Sequence, residues 1–215
     1  MFRTRKTVPI PVAAARADEC ALNRPGRSPG DPGLFNVGAE LSFNYGGTFE
    51  YYGEDGHIVP ATPNLWVAGN EAASHVVVTH SAMEAIAFIT VYRQRYPRLE
   101  QLAFIATGNR LHTGQADWIR QHFAGRRFTL VFGKDLLGQL TAIKLTAGIK
   151  NIAIRIFHAG DQVVICRGRQ EVIFNTGQIS LHAFQEAFGI RPRFRTGKPV
   201  QSLTFLDQLK YDAER

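Results

Sequence analysis

Four short apolar runs constrain the fold of this chain more than any other feature. They are HVVVTH (75–80), LAFIAT (102–107), FTLVFG (128–133) and NIAIRIF (151–157), and they start 27, 26 and 23 residues apart. Each is rich in β-branched or aromatic residues and short, as strands are. A strand with one face in water alternates apolar and polar residues; these runs do not, so both of their faces must be covered. Stretches of helical period separate them: MEAIAFITVYRQRY, QADWIRQHF before Gly125, and LLGQLTAIKLTAG, with Gly125 and Gly148 expected as helix stops. Strands alternating with amphipathic helices predict an α/β fold, an open sheet of mainly parallel strands with helices on both faces.

The flanks read differently. Residues 1–33 form an N-terminal arm ending in the Pro/Gly-rich linker NRPGRSPGDPG. Residues 34–74 read as a small antiparallel β segment: LSFNYGGTFEYYG contains a Gly-Gly turn, and EDG precedes HIV as in a hairpin. This segment is expected to extend the sheet with an antiparallel β edge. The α/β core spans 75–160. Residues 161–215 give a hairpin around 167–169, a helix capped by Ser180 and stopped by Gly189, a basic irregular tail (IRPRFRTGKPV) and a last short helix.

Charge is distributed unevenly over the net +7. Residues 1–30 carry six basic and two acidic side chains, 31–74 six acidic and no Lys or Arg, and 75–160 eleven basic against four acidic. A basic core favours polyanionic partners. Cys20 and Cys166 match no metal spacing or disulfide framework. With no apolar run near the ~20 residues a membrane span needs, and with the apolar stretch near the start broken by Pro9 and Pro11, no membrane partner and a cytoplasmic location are expected.

Ligands of open parallel sheets gather at the carboxyl ends of the strands. There the chain offers His80 and Ser81, Thr107 to Arg110, Gly133 to Asp135, and His158 to Asp161. VVVTHSAMEAIAF, FIATGN and LVFGKDLLGQLTAIKL together resemble the Toprim domain shared by topoisomerases, primases and related nucleases. The similarity covers about 70–157 and is greatest to stand-alone Toprim proteins of bacterial mobile elements. It implies a Toprim/Rossmann-like sheet in which a glutamate ends the first strand and an Asp-x-Asp pair ends the third, together holding Mg²⁺. Here the glutamate position falls on His80 and the first aspartate on Gly133, while the second is kept as Asp135. One carboxylate and an imidazole serve Mg²⁺ poorly, because that ion wants hard oxygen ligands.

The catalytic candidates are therefore His80, Glu84 and Asp135, with Asp135 the metal candidate. Ser81 and Glu84 also fit a capping box, and Asp135 fits a helix N-cap. With acids lost from the crevice, basic groups must meet phosphate directly. Arg110, Lys134, Lys144, Arg191, Arg193, Arg195 and Lys198 are the candidates, with Phe194 as a ring for base stacking. The expected function is a nucleic-acid-binding or accessory protein of a mobile element, preferring single-stranded DNA and needing no cofactor. A second reading is an active Mg²⁺-dependent nuclease or primase-like enzyme using Asp135 with Glu84 or Glu71. A third is a Rossmann-like domain for a small anionic ligand, or a structural partner subunit.

Overall fold

The structure, a computed structural model, describes residues 13–14 (backbone only), 41–191 and 193–214. Apart from the two-residue strand β1 (Ala13–Ala14), the N-terminal arm and linker, with Cys20, lie outside the described residues.

The expected α/β architecture is present. β5 (Trp66–Gly69), β6 (His75–Thr79), β7 (Leu102–Ala106), β8 (Arg127–Val131) and β12 (Phe194–Thr196) join β1 in a six-stranded sheet of order β1–β5–β7–β6–β8–β12. β7, β6, β8 and β12 run parallel, and β5 is antiparallel to β7. Helices cover both faces, which explains the unbroken apolar runs. Val76 and Val78 point into a large core with helices α2 (Thr113–His122), α3 (Leu136–Ile149) and α4 (Leu181–Ala187). Val77 points the other way, into a second core with α1 (Ala82–Val91) and α5 (Phe205–Ala213). All three valines are wholly buried, each side chain contributing roughly 1.5–3 kcal/mol relative to exposure.

Two small antiparallel sheets flank this body. One is β2 (Leu41–Asn44), β3 (Phe49–Gly53) and β4 (Gly56–Ile58); the other is β9 (Arg155–Ala159), β10 (Gln162–Arg167) and β11 (Gln170–Asn175). The antiparallel segment thus divides: β5 extends the main sheet, while β2 to β4 make their own.

Three sequence expectations are corrected. The run at 151–157 does not supply the fourth parallel strand. Its second half enters β9, which pairs antiparallel with β10, a neighbour reached through a two-residue turn with Gly160 at φ 57°. The place beside β8 goes to β12, from the tail expected to be irregular, because Phe194 stacks on Phe128 with ring centroids 4.9 Å apart. Nor does Gly148 stop α3: it lies inside the helix, where a Cβ would stand 2.6 Å from Ala116 Cβ, so its absent side chain lets α3 approach α2.

α5 is held to the body by a long-range cap. Ser81 caps α1, accepting from the Glu84 N–H at 3.0 Å, but Glu84 does not return the bond as a capping box would. Its carboxylate reaches across 121 residues to accept from the N–H groups of Phe205 (2.6 Å) and Leu206 (3.0 Å), the first turn of α5. Glu84 is 2% exposed, so those donors have no water to turn to. Removing the carboxylate in Glu84→Ala should cost about 2–5 kcal/mol, from roughly 1–3 kcal/mol for each buried donor left unmet. Hydrogen exchange should show the Phe205 and Leu206 amides losing protection while those of β6 keep theirs. Unchanged protection in α5 would contradict the assigned cap.

Candidate functional site

The parallel sheet delivers three strand ends to one side. The end of β7 is closed by the segment that follows β4. The Asn109 N–H donates to Pro60 O at 2.9 Å, and Gln115 Nε2 donates to the carbonyls of Thr62, Asn64 and Thr107. Gly108, at φ 80°, has no room for a side chain, since a Cβ would lie 2.6 Å from Pro60 O. What stays open is the junction of β6 and β8, with His80, Gly133, Lys134 and Asp135.

Each carboxylate near that junction serves a helix N-terminus. Asp135 is exposed and caps α3, its Oδ1 accepting from the Gly138 N–H at 3.0 Å. The cap folds back over Gly133, where a Cβ would stand 2.7 Å from that oxygen. A side chain at 133 would therefore displace the cap, so glycine there and aspartate at 135 form one structural unit.

The second carboxylate was not among the sequence candidates. Glu50, on β3, is fully buried at the N-terminus of α1. Its Oε2 accepts from the Ala82 N–H (2.7 Å) and the Tyr45 hydroxyl (2.5 Å), and its Oε1 from the Met83 N–H (2.9 Å) and His57 Nε2 (2.9 Å). Burial pushes the Glu50 pKa up, but the bonds from His57, Tyr45, Met83 and Ala82 together outweigh it and leave it below the ordinary carboxylate value. Tyr45 is shifted far upward, by burial and then by the Glu50 charge.

His80 is half-buried and makes no hydrogen bond to any described residue. Burial holds its imidazole below the ordinary value, aided by His57 and opposed by Glu50 and Asp135.

Two ammonium groups sit in the crevice, and the more enclosed is Lys198, which follows β12. Its Nζ donates to Gly133 O (2.7 Å) and Phe132 O (3.2 Å), the carbonyls that follow β8. Burial, with a smaller contribution from Lys134, outweighs the attraction of Asp135 and depresses its pKa to about 8. Lys134 bonds Val200 O at 2.9 Å, tying the chain after β12 over the same strand end.

These placements test the expected metal. Among the described residues no three His, Cys, Asp or Glu side chains come together as a metal-ligand set. Glu84 is not available to Asp135, because both its oxygens cap α5. Glu71 lies in the turn before β6, at the opposite end of that strand. The residues present do not fit a Toprim-type Mg²⁺, and the catalytic expectation for Glu84 gives way to a structural role.

The nucleic-acid candidates do not form one surface. Arg110 follows β7, Lys134 and Lys198 sit in the crevice, and Lys144 is exposed on α3 on the far face of the sheet. Arg191 is exposed ahead of β12, while Arg193 and Arg195 lie along its edge. Phe194 is 3% exposed and stacked on Phe128, so it has no face to offer a base. Sequence reasoning also passed over His75, Tyr96 and Arg127, which gather beside that edge. His75 Nε2 lies 2.8 Å from Thr129 Oγ1, and its ring is 5.5 Å from that of Tyr96.

The chain matches no family model, no curated protein and no solved structure. No helix among the described residues is long and apolar enough to cross a membrane.

Gly138 gives the site's packing a test by sign. Replacing a helical glycine by alanine ordinarily stabilises a protein by roughly 0.5–1 kcal/mol. Here a Cβ would stand 2.2 Å from Gly133 O, forcing α3 off its own cap. Gly138→Ala should therefore lower stability in urea titration, by roughly 1–3 kcal/mol. A stabilised variant would show that the turn from β8 into α3 is looser than this close approach requires.

Proposed function

We propose that this chain is a Toprim-like nucleic-acid-binding or accessory module without metal-dependent chemistry of its own. The observation that carries this reading is the exchange of roles at the strand ends. Glu50, Glu84 and Asp135 are engaged as helix caps, and an ammonium, Lys198, stands on the carbonyls just after β8. A crevice organised this way presents positive rather than negative charge to an incoming phosphate. Support for the resemblance comes from the central place of β6 between β7 and β8 and from the helix that follows β6 and β8 in each case. The link to a mobile element rests on sequence resemblance alone.

The test is fluorescence anisotropy of the purified chain with labelled single-stranded DNA and RNA at rising salt. Binding should be measurable at low salt and weaken as salt rises, with the log–log slope reporting the phosphates neutralised. It should be the same in magnesium and in EDTA, and the same in Asp135→Asn, since asparagine is also a good N-cap. No binding at low salt would overturn the proposal. Magnesium-dependent cleavage or synthesis that disappears in Asp135→Asn would replace it with the enzyme reading.

A further inference from the structure

The edge of the main sheet at β8 and β12 carries a second feature, toward the amino ends of the strands rather than the carboxyl ends that form the crevice. On the face that bears α1, strand register sets side chains in rows. Val77 pairs with Phe104 and with Thr129, and Thr129 pairs with Arg195. One row nearer the amino ends of the strands, His75 pairs with Leu102 and with Arg127. Because Phe194 pairs with Phe128, Arg193 falls beside Arg127, and the Phe128 N–H donates to Arg193 O at 3.2 Å. Phe194 turns into the large core, so the alternation of a strand turns Arg193 and Arg195 to the α1 face.

Arg127, Arg193 and Arg195 are all exposed, and among the described residues β12 is the last strand of the sheet. Among the described residues none of the three pairs with a carboxylate. Two of the three bear on a neighbour: His75 lies below its ordinary value through burial, then through Arg127 and Arg195. Tyr96 completes the patch. It is half-buried, with its ring 5.5 Å from His75 and 5.6 Å from Phe88.

We propose that a single-stranded nucleic acid lies along this free edge, its phosphates on Arg127, Arg193 and Arg195 and a base or sugar against Tyr96. The inference rests on the nucleic-acid reading above and names where on the molecule it acts. Alternate positions on a strand are about 7 Å apart, on the scale of the step between successive phosphates of an extended strand. A ring beside such a row gives a base something to stack on without selecting which base. A duplex would present its phosphates on a curved backbone that a straight sheet edge follows less well, so single strands should be preferred.

The experiment compares two triple variants of the full chain that remove the same charge. One is Arg127→Gln, Arg193→Gln and Arg195→Gln. The other is Arg155→Gln, Arg169→Gln and Lys210→Gln, three exposed positions elsewhere. In anisotropy titrations with labelled oligothymidylate, the edge variant should bind at least tenfold more weakly. Its salt slope should fall by about 2, at roughly 0.7 for each single-strand phosphate no longer neutralised. The control should stay within about twofold of the native chain, the small change expected for screened, remote charges. Arg195→Gln alone, the least intrusive change, should weaken binding and shallow the slope in proportion, which separates the removal of a phosphate partner from a failure to fold. Tyr96→Leu should weaken binding with the slope unchanged. Equal losses of affinity in both triple variants, or native-like binding by the edge variant, would overturn the proposal while leaving nucleic-acid binding intact. A native chain that binds no oligonucleotide would remove both.

Discussion

A carboxylate with no access to water sits at the joint of this molecule. Glu50 brings β3 against the start of α1 and satisfies two helix N–H groups, a tyrosine hydroxyl and a histidine with two oxygens. An isolated buried carboxylate would be driven to take up a proton; the four donors reverse that, and the helix N-terminus adds its own favourable field. Glu50 thereby fixes how the small β2–β3–β4 sheet sits on the end of β6, immediately before the crevice. Its stabilising effect is present above the carboxylate's ordinary value and lost as pH falls through its lowered one.

The same device recurs at α5 with Glu84 and at α3 with Asp135, so three helices receive their N–H groups' partners from acidic side chains. This has a functional consequence. Carboxylates committed to backbone donors have few lone pairs left for a divalent ion, and two of the three are buried besides. Lys198, bonded to the carbonyls just after β8, and Lys134 bring positive charge to the same crevice as Asp135. Folding and site chemistry are linked because the oxygens that hold the helices are those a metal would need.

Much of the main body was legible in the sequence. Val76 to Val78 announced a strand covered on both sides, and Ser180 and Asp135 announced helix starts, because those signals are local and their causes are local. Partner choice was not legible. NIAIRIF looks like another parallel strand, yet β10 lies one tight turn away and wins it, while three residues of a basic tail take the sheet edge on the strength of one ring stack. The site was harder still. In TFEYYG the pattern suggests aromatics inside and the acid outside, but Phe49 and Tyr51 are 40% and 49% exposed and Glu50 is buried. Only the distant helix N-terminus makes sense of that reversal. Glu84 read as a local cap because its spacing from Ser81 is right, and its true partners lie 121 residues on.

The central physical claim is that the strand-end crevice has no grip for a hard divalent cation, and manganese titration tests it most directly. Electron paramagnetic resonance would follow the free ion while amide spectra report local broadening. The free-ion signal should rise in step with added manganese, with no selective broadening at His80, Gly133 or Asp135. Saturable binding of one manganese per chain in the micromolar range, broadening those amides and abolished by Asp135→Asn, would contradict it.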